Sequence, residues 1–310
     1  MAEQAALTFW YVLASDGGPE HRNMCIVSAR VLRHVDPAAR IGLLCDRPSA
    51  DAAQGVGVSL ADVFDEVEVR ETDGITPMLR SRELKLGLRG FVRGDICYLD
   101  SDTLLVKPIR EMPRAVTGVG MAYDGWWHLR GAVDAPPQVA SVYAQIGWPF
   151  PPPRYFNGGV IFWRDNDRAH QFATAWRAAW DVSVRAGIPL DQMALAHTDR
   201  ELGGVIDVLP HRYNAQVGVW PGAARDAAIW HFWHAMYHSP AAPLSLLDHL
   251  AVTFARTGTL DLDRYERARA KQYPWVRSRG FRSYLYTRNY LDAVRELPRA
   301  LARAVFRRIV

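Results

Sequence analysis

The chain has 310 residues, 49% of them hydrophobic and 11% aromatic, enough for one large domain or two small ones around a substantial core. Charged residues make up 23% and no tract is of low complexity, which excludes a disordered chain. A net charge of +4 is too small to mark a nucleic-acid binder by itself.

Only three cysteines occur, Cys25, Cys45 and Cys97. Each lies in an apolar run, which reads as buried free thiols in a reducing compartment. The opening MAEQAA has no basic region and the apolar run after it is short, which points against a secretory leader. No window reaches the ~18–20 uninterrupted apolar residues of a membrane span. A cytoplasmic protein is expected.

Residues 7–13 (LTFWYVL) read as a buried first strand, and residues 14–19 (ASDGGP) carry turn chemistry. From 20 to 35, Met24, Val27, Val31 and Leu32 recur at helical spacing. Residues 41–45 (IGLLC) form a second buried strand and 63–69 a third. This strand–helix–strand order predicts a parallel sheet with helices on its faces. Residues 81–91 (SRELKLGLRGF) predict a basic helix with Arg82, Lys85 and Arg89 on one face. That face is either solvated or directed at an anion such as a diphosphate.

Residues 95–109 (DICYLDSDTLLVKPI) hold the most informative feature. A short apolar strand ends in Asp100-Ser101-Asp102. Two carboxylates one residue apart at the end of a buried strand are costly without a cation. A hard divalent ion that also holds a phosphate is the economical partner. Residues 121–124 (MAYD) predict the next strand. Residues 125–153 form an irregular loop rich in Trp, Pro and Gly, with a short helix near 139–146. A loop of that length inside a domain is usually functional. Its Trp126, Trp127 and Trp148 can stack on a sugar ring or cap the core.

Residues 155–163 (YFNGGVIFW) read first as a hairpin, because Asn-Gly between apolar runs is a strong turn signal. The Gly-Gly pair can also admit a ligand close to the backbone. A helix over 165–186 has Phe172, Trp176 and Trp180 as its core stripe. Residues 189–193 (PLDQM) open another, in which Asp191 can be merely a first-turn acid. Residues 205–209 are a late strand, left by His211-Arg212-Tyr213-Asn214. Residues 228–239 (AIWHFWHAMYHS) hold His231, His234 and His238 at metal-ligand spacing for a helix. The run itself is strand-like, so one histidine joining the Asp pair fits better than a three-His zinc site.

From 260 the character changes. Residues 264–310 carry thirteen Lys and Arg against three acids, with aromatics interleaved. Residues 290–309 show an amphipathic pattern through Leu291, Val294, Leu297, Leu301, Val305 and Ile309. Three readings stand: an anionic membrane surface, a terminal helix packed on the domain, or RNA.

Five stretches together resemble glycosyltransferase family 8, retaining enzymes of the GT-A fold that use nucleotide sugars. YLDSDTLL looks like the family's metal-binding Asp-x-Asp, and SRELKLGL like the helix that gives the donor a basic contact. YFNGGVIFW looks like its Phe-Asn-small-Gly-Val stretch, PLDQMAL like its Asp-Gln pair, and IWHFWHAMYH like its late His motif. The resemblance covers about residues 7–240. It implies a Rossmann-like α/β domain over 1–259, with a mixed, mainly parallel sheet flanked by helices, and a basic helical segment over 260–310.

The resemblance also implies roles. Asp100, Asp102 and His231 would hold Mn2+, with Mg2+ as the alternative. Asp100 would also meet the donor ribose, and Leu13, Asp16 and either Arg82 or Lys85 the donor. Asn157 and Asp191 would hold hydroxyls of the transferred sugar, with Gln192 under its anomeric carbon. The expected activity moves a hexose from a UDP-sugar to a saccharide or glycolipid acceptor in surface polysaccharide synthesis, peripheral to the inner membrane face and without nucleic acid. Two departures matter: the family's late motif usually continues to a Lys on the diphosphate, which here Tyr237, His238 or an arginine from elsewhere would have to replace, and the Asp191-Gln192 pair lacks the second Asp that often follows it. Two rivals remain. One is a non-catalytic binder of nucleotide sugar or polysaccharide on the same fold. The other is a phosphatase of the haloacid dehalogenase type, whose Asp-x-Asp normally precedes Gly-Thr near the N-terminus.

Overall fold

The computed structural model describes residues 7–15, 18–55, 57–125, 137–233, 245–276 and 280–309. Asp16, Trp126, Trp127, His234, Tyr237 and His238, all named above, lie outside the described residues.

Among the described residues there are ten strands: β1 (Thr8–Leu13), β2 (Arg40–Asp46), β3 (Glu66–Arg70), β4 (Ile96–Leu99), β5 (Thr103–Leu105), β6 (Val119–Met121), β7 (Val160–Trp163), β8 (Ile206–Val208), β9 (Ala215–Gln216) and β10 (Ile229–His231). The helices are α1 (Pro19–Val35), α2 (Arg47–Gly55), α3 (Pro77–Phe91), α4 (Pro137–Gln145), α5 (Asp167–Arg185), α6 (Asp191–Glu201), α7 (Leu246–Thr257), α8 (Leu262–Lys271), α9 (Phe281–Tyr286) and α10 (Tyr290–Ile309).

The main sheet has the order β3-β2-β1-β4-β7-β6-β8, with β7 antiparallel to both its neighbours and the other pairs parallel. The expected mixed, mainly parallel sheet is therefore present. Its central strands are covered on both faces, which is why they read as unbroken apolar runs. Along β1, Phe9, Tyr11 and Leu13 join the core that includes α1 and α7. Trp10 and Val12 point the other way, into the core with Leu84, Trp163, Trp176 and Met193. Opposite Trp10 sits Gly42, where an added Cβ would come within 2.5 Å of the indole. A second sheet, β5-β10-β9, lies beyond the end of β4. Asp100-Ser101-Asp102 is thus the link between two sheets.

Helix starts follow local chemistry. Thr76 accepts a hydrogen bond from the Leu79 N–H and Pro77 opens α3. Asn166 caps α5, and Ser245 and Asp248 form a reciprocal capping box on α7.

Three sequence expectations need correction. The basic helix begins at Pro77, and its cationic face is not solvated: Lys85 and Arg89 are buried. The strand expected at 121–124 spans Val119–Met121, and Asp124 follows it. Residues 155–163 are not a hairpin, since β7 pairs with β4 and β6 on either side. The strand-like reading of the run that holds His231 is met, since His231 ends β10.

The C-terminal segment begins as core. The Tyr265 hydroxyl donates to the Leu105 carbonyl at 2.5 Å and Arg269 Nε to the Val106 carbonyl at 2.8 Å, while Tyr273 and Trp275 join the α1 side of the core. In α10, Ala293 and Glu296 are buried, whereas Leu291, Val294 and Leu301 are 78%, 66% and 58% exposed. No helix among the described residues is long and apolar enough to cross a membrane. All three cysteines are free and buried.

Candidate active site

Strands β1, β2, β4, β6 and β8 run the same way, so Ser15, Asp46, Asp100 and Asp124 emerge at one end of the sheet. In open α/β sheets ligands bind at this carboxyl end. The antiparallel β7 brings its beginning, Asn157-Gly158-Gly159, to the same place. There the Asp100 N–H donates to the Gly159 carbonyl at 2.8 Å. The second sheet adds His231 on β10, paired in register with Thr103, and Asn214 just before β9.

One ligand atom each from Asp100, Asp102 and His231 lies within 4.8 Å of the others. His231 Nε2 is 3.2 Å from Asp102 Oδ1. Burial alone would depress the imidazole's pKa; Asp102, with Asp100 behind it, more than reverses this, so it lies above its ordinary value. The cradle requires a glycine: a Cβ on Gly159 would fall 2.2 Å from His231 Cε1 and 2.9 Å from Asp100 Oδ2. Two carboxylates and one imidazole converging on a shared space fit a divalent ion with mixed oxygen and nitrogen ligands.

Beside this group lies a second charge cluster. Asp191 Oδ1 is 2.9 Å from Arg82 Nε, and its Oδ2 is 3.0 Å from Lys85 Nζ. Lys85 Nζ is also 3.6 Å from Asp100 Oδ1. Burial raises the Asp191 pKa, but Arg82 and then Lys85 overcome it and hold the carboxyl at about 2. Asp191 is therefore more than a first-turn acid of α6. Arg89, the third cation of α3, belongs elsewhere, donating to the Gly94 carbonyl at 2.8 Å. Leu13 ends β1 with its side chain buried in the core.

A hydrogen-bonded relay joins the clusters. Asp124, 4% exposed, accepts from Gln192 Nε2 at 2.9 Å and from Asn157 Nδ2 at 3.4 Å. Asn157 Oδ1 accepts from the Gly159 N–H at 3.0 Å and from Asn214 Nδ2 at 2.9 Å. Asn214 Oδ1 in turn lies 2.8 Å from His231 Nδ1. A carboxylate can only accept, so this chain fixes each amide's orientation from its Asp124 end. Tyr98 donates its hydroxyl to Asp100 Oδ1. Asp100, Asp102, His231, Asn157, Asp191, Gln192, Arg82 and Lys85 thus gather at one end of the sheet. Asp124, Asn214 and Tyr98 join them without having been singled out from sequence. Their one signal was position: Tyr98 lies within β4, Asp124 just beyond β6 and Asn214 just before β9.

No protein-family model and no curated protein matches the sequence. Solved structures do resemble the fold. The galactosyltransferase LgtC, crystallised with donor and acceptor sugar analogues, aligns over 82% of this chain and 96% of its own at 14% identity, with a TM-score of 0.50. The glycosyltransferase GlyE of Streptococcus pneumoniae TIGR4 aligns over 88% of this chain and 66% of its own at 13% identity, with a TM-score of 0.50. The chain has the GT-A-like fold of these glycosyltransferases.

Proposed function

We propose that this protein is a metal-dependent, retaining glycosyltransferase of the family 8 type. It moves a hexose from a UDP-sugar to a saccharide or lipid-linked acceptor. The observation that carries this reading is the convergence of Asp100, Asp102 and His231 with Asp191 and Gln192 at the carboxyl end of the sheet.

A divalent ion at Asp100, Asp102 and His231 supplies Lewis acidity against the charge of the leaving diphosphate. Imidazole favours Mn2+ over Mg2+ there. Lys85, buried between Asp100 and Asp191, adds positive charge on the donor side and offsets the missing late-motif Lys. Asn157 and Asp191 hold sugar hydroxyls. Gln192 commits its NH2 to Asp124, which turns its amide oxygen toward the open side.

Asp191 has a cation on each oxygen and a pKa of about 2, so it is a poor proton acceptor. Gln192 is an amide and a poor nucleophile, and both oxygens of Asp191 are engaged by cations, so we place the attack of the acceptor hydroxyl on the leaving-group face. The bond from the anomeric carbon to the phosphate oxygen breaks and the bond to the acceptor oxygen forms. The acceptor's proton goes to the departing phosphate oxygen. Asp191 and the Gln192 carbonyl stabilise the positive character at the sugar.

A panel of UDP-hexoses with Mn2+ tests the reading. Ligands that bind the folded state raise the melting temperature by mass action. UDP release from one of them, lost in Asp102→Ala, is expected. Binding without UDP release would favour a non-catalytic binder, and cleavage of aryl phosphates a phosphatase. A covalent sugar adduct on Asp191 would overturn front-face attack.

Of the basic segment from 264 to 310, α10 is proposed to meet an anionic membrane surface, supported by the segment's basic excess and the exposed apolar residues of α10. Leu291→Asp with Val294→Asp should weaken sedimentation with phosphatidylglycerol vesicles; unchanged sedimentation would sink the assignment.

A further inference from the structure

A cavity of about 690 Å³ opens beside the site, walled by Tyr123, Leu209, Pro210, Val219, Trp220 and Ala223. It lies at the β6–β8 edge of the main sheet, while the strand ends carrying Ser15 and Asp46 lie toward the opposite edge, across Asp100. Tyr123 and Gly125 flank Asp124, the partner of Gln192. The wall thus continues from the residues assigned to the sugar.

Two polar side chains of its lining are already engaged. Gln216 Oε1 accepts from the Gly125 N–H at 2.8 Å, and its Nε2 donates to the Tyr123 carbonyl at 2.9 Å. Asn214 spends its amide on Asn157 and His231. What these walls offer a ligand is mostly carbon, with the 40% exposed Trp220 at the rim. A saccharide lying there alone would desolvate hydroxyls without replacing their hydrogen bonds. An alkyl or aryl group would gain from leaving water.

We infer that this cavity takes the apolar aglycone of the acceptor, so that the substrate is an alkyl- or aryl-linked glycoside presenting its sugar hydroxyl toward Gln192. The inference rests on the transferase reading for its role, though binding of the aglycone can be measured without turnover.

The test uses the full chain with Mn2+ and three glucosides and galactosides: methyl, octyl below its micelle concentration, and p-nitrophenyl. Saturation-transfer NMR should show the strongest transfer on aglycone protons. The octyl or p-nitrophenyl compound should bind about tenfold or more tighter than the methyl one. The octyl and p-nitrophenyl arms separate a lipid-like from an aryl aglycone. Trp220→Ala and Val219→Arg, each checked for a native melting transition, should both abolish the preference. Equal binding of methyl glycosides, or aglycone transfer that persists in both variants, overturns the inference. Aglycone binding in a protein that releases no UDP from any UDP-hexose would retain the cavity assignment and refute the transferase reading instead.

Discussion

Asn214 Oδ1 lies 2.8 Å from His231 Nδ1, so the imidazole carries its proton on Nδ1 and turns Nε2 toward Asp100 and Asp102. The orientation of Asn214 is itself imposed, because its Nδ2 donates to Asn157 Oδ1, which also accepts from the Gly159 backbone. Partners of this kind set the tautomer and angle of a metal-binding histidine. Asn214→Ala should weaken Mn2+ binding about 10–100-fold. It should also blur the Nδ1–H signature of His231 in 15N NMR of the metal-free protein. Asn214→Gln, which can restore the acceptor, should recover part of both. An unchanged His231 spectrum would show that Asn214 does not position the ring.

Gly159 tests the same cradle by sterics. A methyl there would meet the buried His231 at Cε1, 2.2 Å away, and the half-buried Asp100 at Oδ2, 2.9 Å away, both closer than a real Cβ contact allows. Gly159→Ala should cost about 1–3 kcal/mol of stability through overpacking. Mn2+ affinity, measured by calorimetry, should fall more than it does for Gly158→Ala, where the nearest atom is the end of the Lys85 side chain at 3.2 Å. Equal losses for the two variants would count against the close packing of Gly159 on the ligands.

The Asp191 cluster makes the fold acid-sensitive in a defined window. Its carboxyl is held at about 2, against 3.8 for the ordinary group. Folded Asp191 therefore releases its proton more readily than the unfolded chain. The resulting stabilisation, about 2 kcal/mol, is present in full above pH ~5 and is lost as pH falls through ~4 toward ~2. In Asp191→Asn this part of the acid limb should flatten in denaturant titrations between pH ~2 and ~5. The variant should also be less stable at neutral pH, since Arg82 and the buried Lys85 lose the carboxylate that pairs with both. An acid limb identical to that of the native chain would contradict the low pKa.

The main strands were legible because burial on both faces leaves continuous apolar runs, as in residues 7–13 and 96–99. Asp100 and Asp102 were legible for the opposite reason, two charges interrupting such a run. The Asn-Gly-Gly stretch misled as a hairpin signal. That signal rests on backbone with positive φ, and neither Gly158 nor Gly159 adopts it; both serve by lacking a Cβ. The cationic face of α3 was ambiguous, because charge spacing on a helix cannot tell water from a buried acid more than ninety residues away in sequence. Asp124 and Asn214 were illegible as partners. A single polar residue beside a strand has the look of a turn former, and only tertiary pairing turns it into part of a relay.

Asp124 gives that relay its direction, so its neutral isostere should be revealing. As a carboxylate it accepts from Gln192 Nε2 at 2.9 Å and from Asn157 Nδ2 at 3.4 Å. In Asp124→Asn the new amide can turn its NH2 toward Gln192, which then flips and presents its own NH2 to the sugar. The carbonyl that should face developing positive charge is lost, while the donor's phosphate contacts are untouched. We expect kcat to fall about 10–100-fold with little change in the KM for the UDP-sugar, as for an interaction made in the transition state. Mn2+ affinity should fall less than in Asn214→Ala, because the Gly159 N–H still orients Asn157. A rise in KM at unchanged kcat would place Asp124 in ground-state binding and remove it from the orientation of Gln192.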